Sequence, residues 1–393
     1  MTSSEPPALD PSLVDPVPPV TGAWQEGDDP GRRQFLELDE PFALEAGGAL
    51  PEVRVAYETW GALAPDASNA VLVLHALTGD SHAAGPAGPG HAEVGWWDGT
   101  IGPGAAIDTD RFFVVCPNVL GGCQGTTGPS SILPSSLSED GAEWGSLFPR
   151  ITIRDQVALE VALADALGIH RWSAVVGGSM GGMRVLEWAV GHPDRVARAV
   201  VISVGAQATA EEIALCSVQM RAIRADPKWR GGNYYDAAPG DGPHEGMSLA
   251  RGIGHISYRS ELELAARFGR DHQLSEDPFD GGRYAVESYL EHHGDKLVHR
   301  FDANSYLVLS EAMNHHDVGR GRGGIAAALA TITAEVTIAG MSSDRLYPLR
   351  LQQELGELIP TASAVEVVQT ISGHDGFLVE ADAVGRIIRA ALT

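Results

Sequence analysis

Residues 174–183 read Ala-Val-Val-Gly-Gly-Ser-Met-Gly-Gly-Met, a serine set among four glycines directly after a hydrophobic run. Glycine weakens both strands and helices, so such a cluster needs a local reason. Gly177-Gly178-Ser179-Met180-Gly181 fits G-x-S-x-G, and it follows a run that predicts a strand and precedes a stretch that predicts a helix. That order specifies a sharp strand-to-helix turn. A Cβ two residues before or after the serine would strike neighbouring backbone. The serine is forced into a strained conformation with its Oγ above the sheet. The helix N-terminus beyond it favours developing negative charge. A glycine-rich turn can also bind a phosphate, so the motif alone leaves both chemistries open.

The rest of the chain has the texture that such a turn requires. Val71–Leu74, Phe112–Val115, Ala174–Val176, Ala199–Ile202, Val336–Ala339 and Ala364–Val368 are short apolar runs. They read as strands of a parallel sheet buried on both faces. Between them, Thr152–Gly168 and Arg184–Pro193 carry apolar residues at helical spacing. Alternation of strand and helix makes the class α/β. From 206 to 324 strand-like runs vanish, and residues 209–227, 260–270, 282–301 and 304–313 read as helices. The expected organisation is a disordered tail over 1–25, a core over 26–205 plus 325–393, and a helical lid inserted at 206–324. A length of 393 residues, long for one core, agrees with an insertion. The lid is expected over the C-terminal edge of the sheet, where open α/β sheets bind ligands.

A formal charge of −25 disfavours nucleic acid and anionic membranes as partners, and any phosphate-bearing ligand needs local cations. No apolar run reaches the length of a membrane span. The first residues lack the basic and apolar regions of a signal peptide. Cys116, Cys123 and Cys216 cannot build a disulfide framework. Together these features predict a cytoplasmic protein. No metal site is expected: Cys116 and Cys123 lack paired partners, and His75, His82 and His91 do not have metal-motif spacing. His75, at a strand end, reads as a hydrogen-bonding support.

A serine hydroxyl is a weak nucleophile until a base takes its proton. In this fold the acid and then the histidine follow the serine along the chain. Asp344 lies in a loop after one late strand and His374 in a loop after the last, so Ser179, Asp344 and His374 form the expected triad. The N–H groups of Met180 and of Leu77, in the loop His75-Ala76-Leu77-Thr78-Gly79, are the expected oxyanion donors. His315-His316-Asp317 is a competing cluster, set in the insertion. Arg320 and Arg322 read as a solvated turn, with coenzyme phosphates as the alternative.

Seven long segments together resemble one family, the homoserine O-acetyltransferases within the α/β-hydrolase superfamily, and their actinobacterial members above all. They include residues 75–91 (HALTGDSHAAGPAGPGH), 118–131 (NVLGGCQGTTGPSS), 175–189 (VVGGSMGGMRVLEWA) and 373–380 (GHDGFLVE). Arg184 departs from the glutamine of many members. The resemblance implies acetyl transfer from acetyl-CoA to homoserine by a ping-pong acyl-serine route, with acetyl-CoA as co-substrate and no tightly bound cofactor. It implies that Arg251 pairs with the homoserine carboxylate, that Asp375 pairs with its ammonium and that Tyr258 lines the pocket. It also implies a homodimer formed through the lid helices. A succinyl donor or a serine acceptor stays open, as does an esterase using water.

Overall fold

The computed structural model describes residues 17–138 and 140–393. Eight strands form the main sheet: β1 (Gln34–Glu37), β2 (Arg54–Trp60), β3 (Ala70–Leu74), β4 (Phe113–Pro117), β5 (Ala174–Gly178), β6 (Arg198–Ile202), β7 (Glu335–Met341) and β8 (Glu366–Val368). Their order across the sheet is β1-β2-β4-β3-β5-β6-β7-β8. From β4 to β8 the strands are parallel, whereas β1 and β2 pair antiparallel at one edge. All six expected runs lie in the parallel part. The antiparallel pair was not expected, since its residues mix polar and apolar types and give no continuous apolar run, although Val55–Glu58 are buried.

In β3, Val71 and Val73 join the apolar layer on one face of the sheet, and Leu72 and Leu74 join the layer on the other. Both layers are shut off from solvent, so neighbouring positions are all apolar and the strand reads as a continuous run. Helices α1 (Ile153–Ala166) and α2 (Met180–Gly191) follow the pattern seen in the sequence. A capping box, Thr152 with Asp155, starts α1. Helix α2 begins at Met180 rather than Arg184, because the turn at Ser179 passes straight into it.

Between β6 and β7 the described chain forms a block of helices, α3 (Ala210–Ala225), α4 (His244–Tyr258), α5 (Glu261–Phe268), α6 (Ala285–Val298) and α7 (Ala303–Asn314), before the short α8 (Ile325–Leu329) that leads into β7. Helix α4 was not anticipated; its glycines at 246, 252 and 254 hide the period. Helix α4 packs on α3 and α6, and α3 also packs on α7. The chain enters and leaves this block through one narrow neck. There Ala208 N–H donates to His316 O at 2.9 Å and Val318 N–H to Ala206 O at 3.0 Å. Helices α8, α9 (Leu349–Leu358), α10 (Gly376–Val379) and α11 (Ala381–Ala391) accompany the last strands. The tail expected over 1–25 lies outside the described residues as far as 16. Gly22 N–H donates to Phe301 O at 3.1 Å, and Trp24 N–H to Cys123 O at 2.9 Å.

Candidate active site

Ser179 occupies the bend between β5 and α2 at φ 57°, ψ −126°, a backbone conformation costly for a residue with a Cβ. Close approach explains the glycines around it. A Cβ on Gly181 would lie 2.1 Å from Leu74 O, and one on Gly177 would lie 2.7 Å from the Gly181 carbonyl carbon. The bend therefore presses α2 onto the end of β3.

The loops after β7 and β8 carry Asp344 and His374 to this bend. Ser179 Oγ is 2.8 Å from His374 Nε2, and His374 Nδ1 is 2.7 Å from Asp344 Oδ2. Asp344 Oδ1 accepts from the N–H groups of Leu346 and Tyr347, both at 2.9 Å, which orients the carboxylate. All three side chains are buried. Burial works to lower the His374 pKa. The charge and hydrogen bond of Asp344, then the charges of Asp375 and Glu212, outweigh it and raise the imidazole above its ordinary value.

Leu77 lines the same cavity as Ser179. Val119 N–H donates to His75 Nε2 at 3.1 Å, so the other ring nitrogen carries the proton, and His75 Nδ1–H donates to Ala76 O at 2.8 Å. Gly79 N–H donates to the same oxygen at 3.0 Å. Ala76 O and Leu77 N–H belong to one planar trans peptide and point in opposite directions. Pinning the oxygen on His75 thus turns the Leu77 N–H away from His75. The His75 carbonyl is itself held by Arg184, which is fully buried and ion-paired to Glu160 at 2.7 Å. Burial first and the Arg184 charge second push His75 down to about 3, so the ring stays neutral. Met180, at the first position of α2, has no intrahelical acceptor for its N–H.

Helices α3 and α4 roof a cavity of about 110 Å³ over this floor. Arg251, Tyr258 and Asp375 all line it. The Arg251 guanidinium sits over the Tyr258 ring at 5.7 Å and donates to Thr78 Oγ1 at 3.3 Å. Asp375 accepts an ion pair from Arg259 at 3.2 Å, a partner that sequence reasoning missed. Glu212 was also missed. Its Oε2 accepts from Thr209 N–H at 3.1 Å in the capping box of α3, while Oε1 is buried without a partner. Burial pushes this carboxyl up to about 7. The Thr209-x-x-Glu212 spacing signals a helix start, but no sequence signal aims the carboxyl at the cavity.

The competing residues have structural posts. His316 Nε2 bonds Gly205 O at 3.1 Å in the neck, and Asp317 accepts from Gly319 N–H at 2.8 Å. Arg320 forks onto Glu45, with both contacts at 3.0 Å, and Arg322 pairs with Glu187. His82 and His91 come together with Glu58, their ligand-type atoms within 4.8 Å of one another, a grouping that spacing did not reveal. His82 Nδ1–H donates to Glu58 at 2.9 Å, and His91 Nε2 accepts from Arg32 N–H at 3.2 Å. The lone pair and the proton facing Glu58 are thus already engaged within the protein.

The strand order, the strained serine and the Ser–His–Asp relay at the C-terminal edge of the parallel strands define a protein of the α/β hydrolase class. A family model for the alpha/beta hydrolase fold matches residues 69–381. Homoserine O-acetyltransferase of Thermobifida fusca is 60% identical over 377 residues, which cover 96% of this chain and 98% of that protein. The chain belongs to the homoserine O-acetyltransferase family. The crystal structure of homoserine O-acetyltransferase from Bacillus anthracis superposes with a TM-score of 0.82 at 28% identity, over 92% of this chain and 97% of that one. An esterase also reaches 0.82, at 27% identity, over 92% of this chain and 99% of its own.

Proposed function

We propose that this chain transfers the acetyl group of acetyl-CoA to the hydroxyl of L-homoserine through an acyl-enzyme on Ser179. The observation that carries the reading is the relay from Ser179 through His374 to Asp344, at 2.8 and 2.7 Å, in a chain whose full-length relatives are homoserine O-acetyltransferases. His374 Nε2 takes the Ser179 proton as Oγ attacks the thioester carbon. Asp344 stabilises the imidazolium and fixes the ring. The N–H groups of Leu77 and Met180 stabilise the oxyanion. The intermediate collapses, the carbon–sulfur bond breaks, and the coenzyme thiol leaves with the proton from His374. Homoserine then enters. Arg251 meets its carboxylate through a guanidinium fork, and Asp375, steadied by Arg259, meets its ammonium. His374 deprotonates the homoserine hydroxyl, which attacks the acetyl carbon; the Ser179 Oγ–acyl bond then breaks, His374 returns the proton to Oγ, and O-acetylhomoserine leaves.

A transferase must keep water from the acyl-enzyme, and the roof of α3 and α4 supports that role. Leu249 and Ile256, two turns apart on α4, and Leu262 on α5 are exposed. We assign this face to a homodimer contact through the cap. Among the described residues no helix is long and apolar enough to cross a membrane. With its three free cysteines, this supports action in the cytoplasm.

The test is intact-protein mass spectrometry after brief exposure to acetyl-CoA alone. Wild type gains one acetyl group on Ser179 and loses it on addition of homoserine; Ser179→Ala gains none. Turnover by water at the rate seen with homoserine would instead make the protein an esterase.

A further inference from the structure

The catalytic cavity opens into a second chamber of about 600 Å³, and the two share Ala76, Thr78, Arg251 and Leu378. Two guanidinium groups meet at this throat. Arg251 reaches Thr78 Oγ1 at 3.3 Å, and Arg300 Nη1 donates to Thr78 O at 2.7 Å. The Nε of each is buried and has no partner among the described residues. Among the described residues, neither makes an ion pair within 4.0 Å. Arg33, in the same chamber, shows what a purely structural arginine looks like: it donates to Pro30 O, Gly90 O, Gln124 O and Gln124 Oε1. The acids facing Arg300 are committed elsewhere. Glu93 pairs with Lys296 at 2.8 Å, and Asp80 accepts from His82 N–H at 2.8 Å. Burial first and the Arg251 charge second push Arg300 below the usual arginine value. Two like charges held together in a half-buried throat are costly until an anion joins them.

We propose that Arg300 is the second half of a two-guanidinium seat at Thr78 that, with Arg251, holds the carboxylate of the acceptor amino acid. The inference rests on the proposed acetyl transfer. Reach selects the ligand. The hydroxyl oxygen of homoserine lies about 5 Å from its carboxylate carbon, whereas the diphosphate of coenzyme A lies more than about 15 Å from its sulfur. Thr78 adjoins Leu77, which lines the reaction cavity beside Ser179. A seat there suits the acceptor carboxylate and is too close to the chemistry for the donor phosphates. The same seat could receive a distal carboxylate on a dicarboxylic acyl group, so the test separates the two sources.

The experiment compares full-length wild type, Arg300→Met and Arg300→Lys, with homoserine or 3-aminopropan-1-ol (homoserine without its carboxylate) as acceptor. Acyl-enzyme formation is followed separately with acetyl-CoA and succinyl-CoA. Arg300→Met is expected to raise KM for homoserine about tenfold or more. Acetyl-enzyme formation and the slow transfer to 3-aminopropan-1-ol should stay as in wild type. Arg300→Lys, which keeps the charge and one donor, should fall between; it also carries the test if Arg300→Met does not fold. An unchanged KM for homoserine, or an equal loss with both acceptors, overturns the proposal. A defect confined to acylation by succinyl-CoA reassigns the seat to the acyl group and likewise overturns it. Calorimetric binding of homoserine to Ser179→Ala, with and without Arg300→Met, reads the seat without chemistry. Failure of acetyl transfer itself therefore remains distinguishable from failure of this assignment.

Discussion

Glu212 displays the physics of the site at the scale of one residue. A carboxyl at the start of a helix usually gains from the dipole, yet burial outweighs that gain here and lifts it from 4.5 to about 7. Its charge is one of those that raise His374. Glu212→Gln is therefore expected to move the acid limb of the kcat/KM–pH profile, which requires neutral His374, to lower pH. A limb that stays put or moves upward counts against the coupling. Stability follows the same shift with a definite sign. Between 4.5 and about 7 the folded protein holds a proton that the unfolded chain has lost. The contribution of Glu212 is thus complete below 4.5 and disappears as pH rises through about 7. Denaturant unfolding should find Glu212→Gln more stable than wild type above that range and level with it at acid pH.

At the scale of elements, the site depends on how α2 is locked to the end of β3. The elbow glycines allow the approach, and Arg184 closes it. Its guanidinium spans the His75 carbonyl and Glu160, and Glu160 also accepts from Trp188 Nε1 at 2.7 Å. His75 in turn pins the Ala76–Leu77 peptide. Arg184 is thus a positioning residue for the loop that bears Leu77, though the sequence shows only one of two charged residues, with Glu187, on a mostly apolar helix. Arg184→Met leaves a buried carboxylate without its cation and is expected to cost about 3–5 kcal/mol in urea unfolding. Arg184→Met combined with Glu160→Met should recover most of that loss. If the single and double variants are equally unstable, the ion pair is not what Arg184 contributes.

On the scale of the whole molecule, the cap presents two faces. Its inner face, from α3 and α4, supplies Glu212, Arg251 and Tyr258 to the cavity. Its outer face leaves Leu249 59% and Leu262 58% exposed, along with Ile256, on the consecutive helices α4 and α5. Leu249→Asp with Leu262→Asp is expected to halve the solution mass by light scattering without loss of helix content. A mass equal to that of wild type would remove this face from the interface.

Neighbouring residues alone specify the elbow and the α/β class, and they place Ser179, Asp344 and His374 in that chain order. Each depends on local sterics or on the period of the apolar pattern, which neighbouring residues settle among themselves. His75 as a hydrogen-bonding support was legible for the same reason, because it ends a strand. Which charges are spent and which stay open depends on the folded chain. Arg320 looked free in its glycine-rich turn and is clamped on Glu45, 275 residues away in the chain. Arg300 gave no signal in the sequence, yet it meets Thr78 across 222 residues while its buried Nε has no partner among the described residues. A charge is satisfied or not according to what folds over it, and that partner lies at a distance that no local pattern encodes.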